Sequence, residues 1–366
     1  MRKESTTSEI QFQSEELCAL ALSRLTGKER HQATQKALEF TLNSSLCLEE
    51  LCKVCPCLKL SCREEAEFVE VLQRTKALRV ETVSIFNDDY PEALLNIYNP
   101  PPIIFLRGNK EVLSDCKHFI AIVGSRNADR EGIELAREIA LNLAKAGVVV
   151  VSGLALGVDG AAHRGAIDSG SLQSTIAVLG NGLPNIYPHS HARLANEIIN
   201  CHGAILSQFE IGTPAYPSNF LDRNRIISGL SQAVCVIEAG QRSGSLVTAR
   251  YALEQGREVL AIPGSVKNSR FKGSNALVKD GAHLVTNASD ILEILSIPDP
   301  YRILLKKTKL ANISHPILKL LKEYGEISLE ELKSKLPTVE SFSAELLELE
   351  LASAIIIKPG NLVTLS

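Results

Sequence analysis

From His118 onward, six short apolar, β-branched runs alternate with amphipathic helical stretches, and this alternation constrains the chain most. The runs are FIAIVG (119–124), VVVVSG (148–153), TIAVLG (175–180), AILS (204–207), AVCVIEA (233–239) and EVLAIPG (258–264). Between them lie segments such as GIELAREIALNLAKAG (132–147), which places Ile133, Ala136, Ile139, Ala140 and Leu143 on one helical face. Nearly continuous apolar strands, each followed by a helix, predict an α/β fold with a parallel sheet covered on both faces. Gly124, Gly153, Gly180 and Gly264 close four of the runs. In open α/β sheets the ligand crevice lies at those strand ends, so the loops that follow them should build the site.

The flanks read differently. Residues 1–85 carry helical periodicity, through Leu17, Leu20, Ala21 and Leu25 and again through Phe68, Val71 and Leu72, and predict a helical N-terminal domain. Residues 86–117 hold Pro91 and the Pro100–Pro102 run and read as an extended connector packed on the core, since proline suits neither a helix interior nor a central strand. The core occupies 118–296 and a linker 297–312. Residues 313–366 show three helical patterns, one opened by the capping box of Ser328 and Glu331, and then a hairpin turning at Pro359-Gly360-Asn361, a winged-helix arrangement. At 366 residues the chain has room for two or three domains of about 150 residues each.

Composition removes several classes. With 45% hydrophobic and 22% charged residues the chain can bury a core and is not disordered. It has no apolar run long enough to span a bilayer, and MRKESTTSEIQFQSEE lacks the apolar stretch of a secretory signal, so a cytoplasmic protein without a membrane partner is expected. Nine cysteines in such a chain read as free thiols. Cys52 and Cys55 have zinc spacing, but no second pair stands at finger spacing, so no metal is assigned. The net charge of −3 gives no global attraction to nucleic acid. Residues 217–282, however, hold nine Lys and Arg against five Asp and Glu, either a solvated face or an anion site.

Five segments can carry that anion chemistry. Gly124-Ser125-Arg126 stands between a strand and a helix, where free N–H groups favour negative charge and an arginine fork fits phosphate. SGLALGVDGAAHRGA (152–166) brings Ser152, Gly153, Asp159 and His163; Asp159 and His163, four apart, form either an acid/base pair or a cap-and-orient pair. GNGLPNIYP (180–188) fails the dinucleotide fingerprint because Asn185 takes the place of its last glycine. NFLDRNRIISGLS (219–231) reads as a loop with Phe220 to stack on a base, Arg223 and Arg225 to meet phosphates and Asn224 to bond a base edge. The alternative there is a core Phe220 and arginines paired with Asp222 and Glu238. The loop Arg242-Ser243-Gly244-Ser245 opens a helix after a strand and makes an anion cradle, and Gly273, Ser274 and Asn275 repeat the same small polar chemistry. The sequence holds no GxSxG elbow and no Walker A loop, so neither a serine hydrolase nor a P-loop ATPase has an anchor.

These blocks, in this order from Gly124 to Ala282, resemble the DNA-processing protein A (DprA/Smf) family. The resemblance implies an extended Rossmann-like core that binds single-stranded DNA without ATP or any other cofactor. It also implies protection of incoming DNA, loading of the RecA recombinase in natural transformation, and a homodimer formed through the core. On this chain Arg126, Phe220, Arg223, Asn224 and Arg225 would line the strand pocket, and Ser243–Ser245 with Gly273–Asn275 would complete its edge. Gln208, Leu221 and Pro184 depart from the family pattern, where Glu, Pro and an acidic residue are usual. The competing class is a phosphoribohydrolase, but its compact PGGxGTxxE motif is not met by EAGQRSGSLVTARYALE. The acidic third C-terminal helix and its approach, with Glu340, Glu345, Glu348 and Glu350, point to protein contact rather than DNA.

Overall fold

The computed structural model describes residues 4–42, 44–58, 60–299, 316–336, 342–351, 355–358 and 360–365. The chain divides into two compact units, 1–295 and 296–366.

In the first unit, helices α1 (Glu4–Ser23), α2 (Gly27–Thr41), α3 (Leu48–Val54) and α4 (Cys62–Ala77) precede β1 (Glu81–Ser84), α5 (Glu92–Leu95), β2 (Ile103–Gly108) and α6 (Val112–Asp115). Then come β3 (Phe119–Gly124), α7 (Arg130–Lys145), β4 (Val149–Ser152), α8 (Val158–Asp168), β5 (Thr175–Leu179), α9 (Ala192–Asn200) and β6 (Ala204–Ser207). The unit closes with α10 (Pro217–Leu230), β7 (Ala233–Ile237), α11 (Ser245–Glu254), β8 (Glu258–Ala261), α12 (Lys272–Lys279), β9 (His283–Leu284) and α13 (Ala288–Ile294). All six apolar runs of the sequence are strands.

The nine strands form one sheet in the order β1-β2-β6-β5-β4-β3-β7-β8-β9. Pairing from β6 to β9 is parallel throughout. Strand order reverses where β3 lies between β4 and β7, which sets the topological switch point there. The proline-bearing segment contributes more than a connector: β2 starts directly after Pro102 and pairs antiparallel with β6, and β1 pairs antiparallel with β2. Its prolines sit just outside the strand, where no ladder donor is lost.

Alternation along the strands divides two cores. One face carries Ala121, Val123, Val151, Ile176, Val178, Val234 and Val236, packed under Ile226, Ile227 and Leu230 of α10 and Ala249 and Ala252 of α11. On the other, Ala177, Leu179, Ile205, Ile103 and Phe105 pack with Leu194 and Ile198 of α9 and with Leu20, Leu22, Leu51 and Phe68 of the N-terminal helices. Those helices therefore share a core with the sheet, and the boundaries expected near residues 85 and 117 do not separate compact units.

The second unit holds α14 (Pro316–Tyr324), β10 (Glu326–Ser328), α15 (Leu329–Lys335), α16 (Phe342–Leu351), β11 (Ile355–Lys358) and β12 (Leu362–Leu365). The expected capping serine is in place, Ser328 Oγ accepting the Glu331 N–H at 3.2 Å. The strand β10, which the sequence reading lacks, pairs with β12 and makes the hairpin a three-stranded antiparallel sheet. Ile317, Leu321, Ile327, Leu332, Leu346 and Val363 form its core. Most of the expected linker, Glu340 and Pro359 lie outside the described residues.

His163 of α8 is fully buried against the sheet. Its Nδ1 lies 2.7 Å from Thr175 Oγ1, whose hydroxyl donates to Val150 O at 2.7 Å. With that hydrogen committed, Nδ1 must be the donor, so the ring is the neutral Nδ1–H tautomer. Its Nε2 faces no hydrogen-bond partner among the described residues. Burial, with lesser contributions from His191 and Arg223, lowers its pKa from 6.5 to about 3. The expected Asp159–His163 pair does not form: His163 turns to the sheet and Asp159 to a loop N–H.

The sign of the pH effect follows. Below about pH 6.5 the unfolded chain takes up a proton that the folded chain resists down to about pH 3. Stability from this group is complete above pH 6.5 and falls with acid by up to about 1.4 kcal/mol per pH unit. The melting temperature should drop between pH 7 and pH 5, and His163→Gln should flatten that slope. Equal slopes for the two proteins would refute the assignment.

Candidate nucleic-acid interface

At the switch point between β3 and β7 lies an open cavity of about 390 Å³. Its walls include Gly124, Ser125 and Arg126 at and after the end of β3, Phe220, Arg223 and Asn224 of α10, and Arg242 to Ser245 before and at the start of α11. Nine of the sequence-predicted site residues meet there: Gly124, Ser125, Arg126, Phe220, Arg223, Asn224, Ser243, Gly244 and Ser245. Ser152, Gly153, Arg225, Gly273, Ser274 and Asn275 do not line it.

The RNR segment is helical, not a loop. Pro217 sits at the first helical position after Tyr216, where its missing N–H costs nothing and its fixed φ suits a helix. Winding this segment into α10 turns the two arginines inward.

Arg223 is 3% exposed. Its Nη1 donates to Gly153 O at 2.8 Å and to Val178 O, and its Nε to Asn224 Oδ1 at 3.2 Å. Burial lowers its pKa to about 10, partly offset by Asp159. Asp159 is buried as well and accepts the Gly153 N–H at 3.1 Å; its pKa is raised, chiefly by burial, against the pull of Arg223. Together they form a charged floor beneath the cavity.

The strand-end glycines belong to this floor. A Cβ on Gly153 would come 2.5 Å from the Arg223 guanidinium, and one on Gly180 would come 2.8 Å from the Phe220 ring. Gly153 thus makes room for a buried arginine rather than for a ligand. Ser152 Oγ is spent on Ile122 O at 2.6 Å, Ser274 Oγ on Phe271 O at 3.3 Å, and the Asn275 amide on both backbone groups of Gly264.

Arg225 points away from the cavity. It donates to Asp222 Oδ1 at 2.9 Å, to Asn99 O at 2.5 Å and to Gln208 Oε1. The Gln208 amide also donates to Asp222 Oδ2 at 2.6 Å. A neutral glutamine fits here because Asp222 already supplies the negative charge facing Arg225.

The exposed cations at the rim are Arg126 and Arg242, the latter the first residue of the loop that the sequence offers as an anion cradle. Buried Glu238 holds the Arg126 loop: its carboxylate accepts the Asp129 N–H at 3.0 Å and its carbonyl the Ser125 N–H at 2.9 Å. Arg270 pairs with the same carboxylate at 3.3 Å.

The arginines therefore separate by role. Arg225→Ala should cost about 1–3 kcal/mol and lower the melting temperature, since it removes the buried donor of the Asn99 carbonyl and the Gln208 side-chain oxygen, while Asp222 stays half-exposed. Arg126→Ala, at an exposed position, should leave melting within about 0.5 kcal/mol of the parent. Thermal melts of both variants check the pair, and an unchanged Arg225→Ala melt would contradict the buried network.

Comparison with known proteins follows the same lines. The sequence model of the DNA recombination-mediator protein A family matches residues 81–296. Protein Smf of Escherichia coli is 41% identical over 287 residues, 75% of each chain. The DNA processing protein DprA of Streptococcus pneumoniae is 42% identical over 57% of this chain and 72% of its own. Its X-ray structure superposes with a TM-score of 0.63 at 35% identity, covering 76% of this chain and 97% of that one. The Helicobacter pylori DNA processing protein A, described for its single-stranded DNA binding mode, superposes with a TM-score of 0.53 at 30% identity, over 60% of this chain and 96% of that one.

Proposed function

Because the chain belongs to the DNA recombination-mediator protein A family, we propose that it binds single-stranded DNA along the C-terminal edge of its parallel sheet. The observation that carries this reading is the cavity at the β3/β7 switch point, rimmed by exposed Arg126 and Arg242 and closed by the small polar start of α11. Exposed guanidinium groups meet phosphates, and a helix start adds partial positive charge. The Helicobacter relative, described for a single-strand binding mode, supports the choice of ligand.

The role is one of binding rather than catalysis. Among the cavity-lining residues the carboxylate is Asp159, held beneath the floor by a backbone N–H. Glu254, which a phosphoribohydrolase reading would recruit, ends α11 and pairs with Arg250 at 3.6 Å, away from the cavity walls. Protection of incoming DNA, loading of a RecA recombinase and a homodimer built through the sheet unit complete the proposal, with the cytoplasm as its setting. No helix among the described residues is long and apolar enough to cross a membrane. The C-terminal unit, proposed as a winged helix, takes a protein-contact role, since α16 carries Glu345, Glu348 and Glu350 and no basic residue.

A titration of single-stranded against blunt duplex DNA at several salt concentrations tests this. Single strands should bind more tightly, and Arg126→Ala and Arg242→Ala should each reduce the salt slope by about 0.7. Equal affinity for duplex, or release of free base from a nucleoside monophosphate, would overturn the reading.

A further inference from the structure

Phe220, the aromatic residue that the sequence offers for base stacking, is already engaged. It is half-buried on Gly180, with the Arg126 and Arg223 guanidinium carbons 5.5 and 6.0 Å from its ring centroid. The Tyr187 ring lies 5.4 Å away, tilted by 47°. That spacing is a direct aromatic contact. A base inserted between the two rings would need about twice the 3.5–4.0 Å contact distance between carbons, so the pair must open or the base must stack elsewhere.

Tyr187 offers that other surface. It is 44% exposed, beside a ring that fixes its position, in the loop that follows β5. Strands β5, β4, β3 and β7 are neighbours, so the loops that carry Tyr187 and Arg242 follow strands of one edge that lie three spacings, or about 14 Å, apart. Exposed cations and an exposed aromatic ring along one edge are the combination that holds a single strand through its phosphates and one of its bases.

We propose that Tyr187 is the base-stacking platform of this site, with Phe220 as its backing wall and Arg126 linking it to the phosphate-binding rim. The assignment rests on the single-strand reading above and extends it to a residue which that reading does not use. Stacking has no base-edge contact, so the platform accepts any base.

The test compares an oligothymidylate with an otherwise equal strand carrying abasic sites, using the parent protein, Tyr187→Leu and Tyr187→Phe. Tyr187→Leu should weaken oligothymidylate binding roughly 5- to 150-fold, the span of one stacked base. It should leave the salt slope and abasic-strand binding unchanged, and Tyr187→Phe should restore affinity. The chain has no tryptophan, so tyrosine emission is readable directly. Strand binding should quench it in the parent and less in Tyr187→Phe, a readout independent of how well Tyr187→Leu folds. Parental affinity of Tyr187→Leu for oligothymidylate, or equal quenching in Tyr187→Phe, overturns the platform while leaving the single-strand site intact. A parent protein that binds neither strand overturns the underlying reading, and the platform with it.

Discussion

One buried cation organises the sheet edge. The Arg223 guanidinium reaches from α10 under the ends of β4 and β5, and bonds carbonyls that the strands leave unpaired where they stop. Its charge is tolerable there because Asp159 lies close and the carbonyl dipoles point at it. The absence of a side chain on Gly153 is the steric condition for that reach. Phe220, one turn earlier on the same helix, is consequently fixed over Gly180, and the rings and cations at the surface inherit their positions from this floor.

The site has two layers with different electrostatics. Below, buried Arg223 and Asp159 offset each other, and on the far side of α10 the Arg225 guanidinium is spent on Asp222, Asn99 and Gln208. Above, Arg126 and Arg242 remain open to solvent. Only the upper layer has charge to offer a ligand, which is why an acidic chain can still present a basic edge.

Much of the fold was legible because the strands carry their own signal. A fully buried parallel strand must be apolar on both faces, so FIAIVG and AVCVIEA announced themselves, and the ends of the strands located the crevice. Less was legible where tertiary pairing decides. Strand β2 looked like a connector because its prolines mask a run that becomes a strand only beside β6. The role of the RNR segment depended on helical winding: the residue types were right for phosphate, but the helix turns both arginines inward, and nothing local distinguishes an arginine that meets a carbonyl from one that meets a phosphate. Tyr187 was passed over for the converse reason, since exposure at a shared edge is a property of the assembled sheet.

The antiparallel pairing of β2 with β6 has a consequence for how the protein is made. The N-terminal strand pair leaves the ribosome well before β6, and its inner edge stays unpaired until β6, the fourth parallel strand, has been synthesised. The binding edge comes later still, because its two halves, the loop after β3 and the start of α11, meet only when β7 has inserted beside β3. A nascent chain that has not reached the start of α11 therefore lacks one wall of the cavity, whatever part of the sheet has already formed.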